Sequence, residues 1–372
     1  MTTMMPIQFQ ASLLPAPLLA APLLAEQMLA PSAHEQIGFE LGWDCARHAF
    51  TPPAPYGSEA SPLRDGLQAG RAAFGARALQ PTRPVQQWLQ LRLHAWLHGR
   101  SVELFQVTPN YLQQIAASHC PITRSAMAAD SDNLLIDRVR HDAAYAAGNL
   151  VAMSTAASHA KAAIGYREAM ARAERIEADG LAGLDGLSAA AWRRMAALCS
   201  YVEPMPHDEA CAVPMRVLPP NRLRLFNPVQ ALQAMLSRQL LRPGWSQRVS
   251  HFEELLPGKA LQRDAKQFFM ALLPRVLEAG PITDSQRTRW AIEDAWATPL
   301  VQRRWTEFAR QLTPAQCEAL LERTAKAGLA VTHIEASNEA RATDGWSLET
   351  RGYVAHRPAP EGEPAMHQPL LC

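Results

Sequence analysis

Five times along the chain a proline stands at or just inside the start of a helix-forming stretch, behind a residue suited to cap it. The starts are Thr82 ahead of Pro84, Thr108-Pro109, Asn227-Pro228, Thr298-Pro299 and Thr313-Pro314. Proline has no amide hydrogen to waste in the first helical turn, and its fixed φ suits that turn. A Thr or Asn ahead of it can accept a hydrogen bond from the orphan amides. These signals predict a mainly α fold. Behind Thr82, the residues Val85, Trp88, Leu89, Trp96 and Leu97 are spaced for one buried helical face. The Thr108 start predicts a shorter helix through Ile115. Phe268, Phe269, Leu272 and Leu273, and then Trp290, Trp296 and Trp305, recur at helical spacing and read as core. No internal repeat is evident.

At 372 residues the length suggests two to three domains, and a 48% hydrophobic content suffices for real cores. Disorder throughout and a disulfide-built miniprotein are therefore excluded. A net charge of +1 excludes a uniformly basic nucleic-acid coat protein, but the charge is uneven. Residues 1–46 carry four acids and no Lys or Arg, whereas residues 47–124 carry eight Arg against three acids. Because lysine is nearly absent, with four in the chain, the positive side is almost wholly arginine, which suits bidentate phosphate contact. A local phosphate-binding face just ahead of residue 125 is the expectation.

The cysteines, Cys45, Cys120, Cys199, Cys211, Cys317 and Cys372, are scattered without CxxC spacing. That speaks against a disulfide framework and for a reducing, cytoplasmic setting. The apolar run ASLLPAPLLAAPLLAEQMLA has no Lys or Arg before it and is interrupted by Pro15, Pro17 and Pro22. It reads as an arm, poorly ordered or packed on an apolar surface, with a masked targeting segment as the alternative. It is too short and interrupted for a membrane helix, and no membrane association is expected. Residues 51–62, TPPAPYGSEASP, read as a linker.

The window from 119 to 162 is different. Leu134, Leu135 and Ile136 run into Asp137, and a loop follows that ends at Gly148-Asn149, which predicts a small β-hairpin. A long Ala-rich helix is expected from about Ser154 to Asp179, stopped by Gly180. Cys120-Pro121-Ile122-Thr123, followed by IDRVRHDAAYAAGNLVAMSTAASHAK, resembles the HNH, or His-Me finger, nuclease motif. The likeness is to a phage and bacterial branch that reads Cys-Pro-x-x, Asp-Arg, Gly-Asn and a helical Lys. It covers about 45 residues. It implies a ββα module in which a strand Asp and a helical residue hold a divalent metal, Mg²⁺ or Mn²⁺. A His activates water, and a loop Asn orients that His.

Placed on this sequence, Asp137 stands for the strand carboxylate and Asn149 for the loop Asn after Gly148. Tyr145 and Lys161 match the branch. Arg138 stands where the catalytic His belongs, and an arginine stays protonated and cannot be a general base. His141 or His159 would have to replace it. Ser158 falls on the helical metal position, with His159 about 100° further round the helix. Four zinc-knuckle positions are implied as well, and they hold Cys120, Thr123, Ser154 and Ala157. One thiol does not hold a tetrahedral zinc, so no structural zinc is expected. Packing by Ile136, Val139, Leu150 and Met153 is expected to brace the hairpin instead. Arg124, Arg138, Arg140 and Lys161 could contact phosphate, with a solvated charged face as the alternative. The pair His94 and His98 has i, i+4 spacing but no HExxH glutamate, and reads as a partly exposed pair. There is no GxSxG elbow, phosphate-binding P-loop or GxGxxG.

The expected organisation is an apolar arm (1–50), a helical region (63–118), the ββα module with its long helix (119–180) and a Pro-rich connector with one helix (181–226). A C-terminal helical domain (227–330) and a tail (331–372) complete it. Three readings follow. One is an HNH-like nucleic-acid-binding protein acting on DNA or RNA as a metal-dependent endonuclease with a displaced site. Another is a non-catalytic descendant that keeps the module for docking. The last is a helical scaffold or adaptor that meets protein partners through the N-terminal arm or the C-terminal helices.

Overall fold

Helices begin where the proline signals place them. They run over Arg83–Leu97 (α3), Pro109–Ile115 (α4), Pro228–Gln239 (α9), Pro299–Ala309 (α13) and Pro314–Lys326 (α14). Thr108 accepts from the Tyr111 amide, and Thr313 forms a reciprocal box with Gln316. The computed structural model describes residues 32–53, 61–127, 133–242, 244–278, 284–329, 335–336 and 342–354. The N-terminal run through Pro22, residues 54–60 of the linker and the last 18 residues lie outside them. Among the described residues the chain is mainly helical, with one small antiparallel pair of strands. None of those helices is long and apolar enough to cross a membrane.

Part of the expected arm is a helix, Ala33–Arg47 (α1), opened by a capping box between Ser32 and Glu35. It packs on Pro62–Phe74 (α2) at very short range. A Cβ on Gly42 would stand 2.0 Å from the Leu63 carbonyl oxygen, and one on Gly66 would stand 1.9 Å from that of Phe39. Only glycine at both positions permits this approach. Leu41, Cys45 and Leu63 meet Leu89, Leu93 and Trp96 of α3 in a small core of their own.

The strands are Leu135–Arg138 (β1) and Leu150–Met153 (β2), with Asp137 opposite Val151 and Arg138 opposite Leu150. The expected long helix is two. Thr155–Lys161 (α5) ends where Ala162 turns to φ +42°, and Gly165 opens Tyr166–Asp179 (α6). Ala-rich composition favours continuation, but Lys161, Ile164 and Ala169 are all buried in the broken arrangement, and tertiary burial overrides propensity. The 181–226 stretch carries two helices rather than one, Ala189–Ser200 (α7) and His207–Ala212 (α8). Trp245–Leu255 (α10), Lys259–Leu277 (α11) and Ser285–Ala295 (α12) fill the stretch between α9 and α13.

One continuous core runs from Cys120 through Trp192, Leu232, Phe268 and Trp305 to Trp346. Residues on both sides of positions 180 and 226 contribute to this core. Residues 342–354, expected as tail, form a strap over the loop between β1 and β2. Trp346 is fully buried, its indole N–H donates to the Ala147 carbonyl at 3.0 Å, and its own carbonyl accepts from Ala144.

Candidate functional site

β1 and the first turns of α5 bring Asp137 and Ser158 together, 21 residues apart in sequence. The Ser158 hydroxyl donates to one carboxylate oxygen of Asp137 at 2.8 Å, and the Arg138 amide donates to the other at 2.7 Å. The two positions matched to metal ligands thus meet, joined by a hydrogen bond. His159, the next residue, is exposed on the outer side of α5 and takes no part, as the 100° offset between helical neighbours requires.

Arg138 is 7% exposed. Its Nη1 donates to the carbonyls of His141 and Ala143 at 2.9 and 3.0 Å, and its guanidinium lies 4.7 Å from the Tyr145 ring centre. The side chain in the place of a catalytic base is turned inward and holds the loop. Asn149, fully buried, does the same from the other end. Its Oδ1 accepts from the Arg140 amide, and its Nδ2 donates to the carbonyls of Arg140 and Ala144. It fixes backbone and orients no imidazole. Gly148 sits at φ +85°, with its amide bonded to the Tyr111 hydroxyl and the Arg224 side chain against its α-carbon. A Cβ there would stand 2.4 Å from Arg224 Cδ, so both conformation and space demand glycine.

His141 is the loop histidine that does lie near Asp137. Burial, reinforced by Arg138, Arg100 and Lys161 and opposed by Asp137, lowers its pKa to about 4. It is therefore neutral at physiological pH but a weak base, far from the value near 7 that serves proton abstraction best. Arg100 Nη2 stands 3.5 Å from His141 Nε2. A guanidinium only donates, so this contact faces the imidazole lone pair.

Two residues of the site carry no local signal that ties them to it. Arg100 is placed by the strap, donating to the Arg351 carbonyl and lying 3.8 Å from the ring centre of Tyr353. His94 reaches the same region across the fold, edge-on to Tyr145, and burial lowers its pKa to about 4. His98 is the exposed half of that pair, with rings 4.3 Å apart.

The four knuckle positions also converge, although they come from separate segments. Ser154 Oγ lies 3.3 Å from both Cys120 Sγ and Thr123 Oγ1. The Thr123 amide points at the sulfur at 3.5 Å, and the Ala157 amide points at Ser154 Oγ at 3.3 Å. Burial raises the Cys120 pKa, but the hydrogen bonds from Ser154 and Thr123 outweigh it and the net shift is downward. Hydrogen bonds stand where a zinc would. Val139, Leu150 and Met153 are buried beside them, and Ile136 is half-buried.

Of the cations expected at phosphate, most have intramolecular partners. Arg124 bridges to Glu293 and Asp294 on α12, and Arg140 pairs with Asp142. Lys161 is 1% exposed and Arg138 is buried as described. Beside the loop lies a cavity of about 340 Å³ lined by Arg140, His141, Ile164, Gly165 and Glu203 among others. Glu203 accepts from the Tyr166 amide, and burial raises its carboxyl pKa.

A divalent metal fits this donor set poorly. Asp137 is one carboxylate, with both oxygens already accepting, amid the cations Arg100, Arg138 and Lys161. Among the described residues no three His, Cys, Asp or Glu side chains are grouped to hold an ion. Hard cations need several oxygen ligands and negative charge to offset dehydration. No family model, curated protein or solved structure matches this chain.

Proposed function

We propose that this chain is a helical scaffold or adaptor protein built around a catalytically silent, HNH-type ββα module. The observation that carries the reading is the commitment of Arg138. The residue in the base position spends its guanidinium on the carbonyls of His141 and Ala143, so it tightens the loop that a nuclease would leave open to water and phosphate. The convergence of Asp137 with Ser158, and of Cys120 and Thr123 with Ser154, supports descent from a metal-bearing arrangement. The hydrogen bonds that join them support loss of the metals. The module then braces the flanking helices, whose core it shares.

The competing reading, a metal-dependent endonuclease, is favoured by that same approach of Asp137 to Ser158, with His141 nearby as a displaced base. Incubation of the full chain with plasmid and oligonucleotides under Mg²⁺ or Mn²⁺ separates the two. The expected result is no cleavage above that of an Asp137→Ala variant with either metal. Metal-dependent nicking that vanishes in Asp137→Ala would overturn the scaffold reading. A salt-dependent gel shift is expected to be absent or weak, because Arg124, Arg138, Arg140 and Lys161 already serve intramolecular partners.

A further inference from the structure

Far from the ββα module, Phe39 and Trp43 stand one turn apart on α1 and, with Glu40 and Asp44, line a cleft of about 450 Å³. The Trp43 indole meets the Phe74 ring of α2 edge-on, with ring centres 5.2 Å apart. Phe39 remains 41% exposed, so the aromatic wall is open to water. Glu40 accepts from the Gln36 side chain at 3.1 Å, and Asp44 pairs with Arg92 at 2.6 Å. Both carboxylates already have partners, so what the cleft leaves unmet is apolar surface rather than charge. An open aromatic surface of this kind gains free energy when an apolar segment covers it.

We propose that this cleft is a docking site for residues 11–30 of the same chain, the apolar arm that leads into α1. Reach allows it. At 1.5 Å per residue, Phe39 and Trp43 stand about 11 and 17 Å along the helix from the Ser32 cap. An extended chain covers about 3.3 Å per residue, so about five residues span the longer distance. The chain ahead of Gln27 can therefore lie over both rings, which brings Leu18, Leu19, Leu23 and Leu24 into range. Chemistry matches as well. Pro15, Pro17 and Pro22 disfavour a helix and favour the extended polyproline form, whose low conformational entropy suits it to aromatic-lined clefts. Residues 1–31 carry one charged side chain, Glu26, and no Lys or Arg, in keeping with a cleft whose acids are already paired. Covalent attachment decides between this occupant and a second copy. A short tether holds the arm at an effective concentration on the order of millimolar, whereas another molecule must overcome the entropy of association. This inference is independent of whether the ββα module is silent.

Photo-cross-linking of the full chain tests it, with benzoylphenylalanine in place of Phe39 and the products mapped by mass spectrometry. Cross-links within one molecule, from position 39 to residues 11–30, are expected, with a yield independent of protein concentration. Leu23→Asp together with Leu24→Asp should lower that yield at least fivefold, with circular dichroism unchanged. Cross-links that join two copies, cross-links that avoid the arm, or a yield unchanged in the double variant would each overturn the proposal. Thermolysin digestion gives a second readout should the photoreactive variant not fold. Cleavage within residues 11–30 is expected to be at least tenfold faster in Phe39→Glu than in the wild type, with cleavage elsewhere unchanged. Equal rates of cleavage in the arm would overturn the proposal independently.

Discussion

Placing three thiols around Cys120 should create a zinc site. The perturbation is Thr123→Cys, Ser154→Cys and Ala157→Cys together, with Cys120 as the fourth ligand. In a tetrahedral tetrathiolate with Zn–S near 2.3 Å, neighbouring sulfurs stand about 3.8 Å apart. In this protein Ser154 Oγ lies 3.3 Å from Cys120 Sγ and 3.3 Å from Thr123 Oγ1. Two edges of the tetrahedron, both meeting at Ser154, therefore already stand within about half an ångström of the required length. The fourth corner comes from Ala157, whose amide faces the Ser154 hydroxyl from the first turn of α5 at 3.3 Å. Structural zinc in comparable small sites contributes an apparent ~10–16 kcal/mol at neutral pH, ample to offset the lost Ser154 hydrogen bonds at about 1 kcal/mol each. The assay is metal stoichiometry after dialysis, with Co²⁺ substitution to read tetrahedral thiolate ligation from its visible spectrum. One tightly held Zn²⁺ per triple variant is expected, with none in the wild type, and chelation should lower the thermal midpoint. A triple variant that folds with native circular dichroism yet holds no metal would refute the claim that these four positions are the corners of a lost knuckle.

Two further outcomes follow from the strap and from the buried imidazoles. Trp346→Ala removes a fully buried indole and should cost about 3–5 kcal/mol, whereas Trp346→Phe should cost about 1–2 by leaving the Ala147 carbonyl unpaired. Urea midpoints measure both, and a Trp346→Phe variant as stable as the wild type would show that the hydrogen bond contributes nothing. His94 and His141 have folded pKa values of about 4 against 6.5 when unfolded, so between those values the folded state binds fewer protons than the unfolded one. Stability should be fully present above pH 6.5 and fall as pH drops toward 4, by at most about 1.4 kcal/mol per pH unit for each histidine. His141→Gln should flatten that slope in urea titrations at about pH 7 and about pH 5, and an unchanged slope would contradict the burial of this ring.

Where the chain's structure is decided locally, the sequence announces it. Thr108 and Thr313 mark helix starts because a cap and a proline act within one turn, while at Asn227 and Thr298 the proline marks the start without a side-chain cap. The strand pair is legible from the apolar run into Asp137 and the turn at Gly148. Ser32 and Glu35 offer an equally local signal for α1, hidden by the apolar run before them. The break after Lys161 is harder to read, since Ala162 is a good helix former and Gly165 is the one hint; the turn is set by what α5 and α6 bury. In the site, spacing alone brings Asp137 and Ser158 to one point, because strand end and helix start are adjacent in the chain's path. Arg100 and His94 join it through contacts with Tyr353 and Tyr145, which no short window contains. The inward turn of Arg138 is likewise invisible in sequence, because it depends on which carbonyls the loop presents.

The indole of Trp346 seals against a carbonyl 199 positions earlier in the chain. During synthesis from the N-terminus at roughly 5–20 residues per second, the β1–β2 loop would leave the ribosome roughly 10–40 s before its cover exists. For that interval Ala144 and Ala147 lack the partners they have in the finished protein. The nascent chain therefore passes through a stage in which the Ala144 amide and the Ala147 carbonyl face water, until residues 342–354 emerge and take them up.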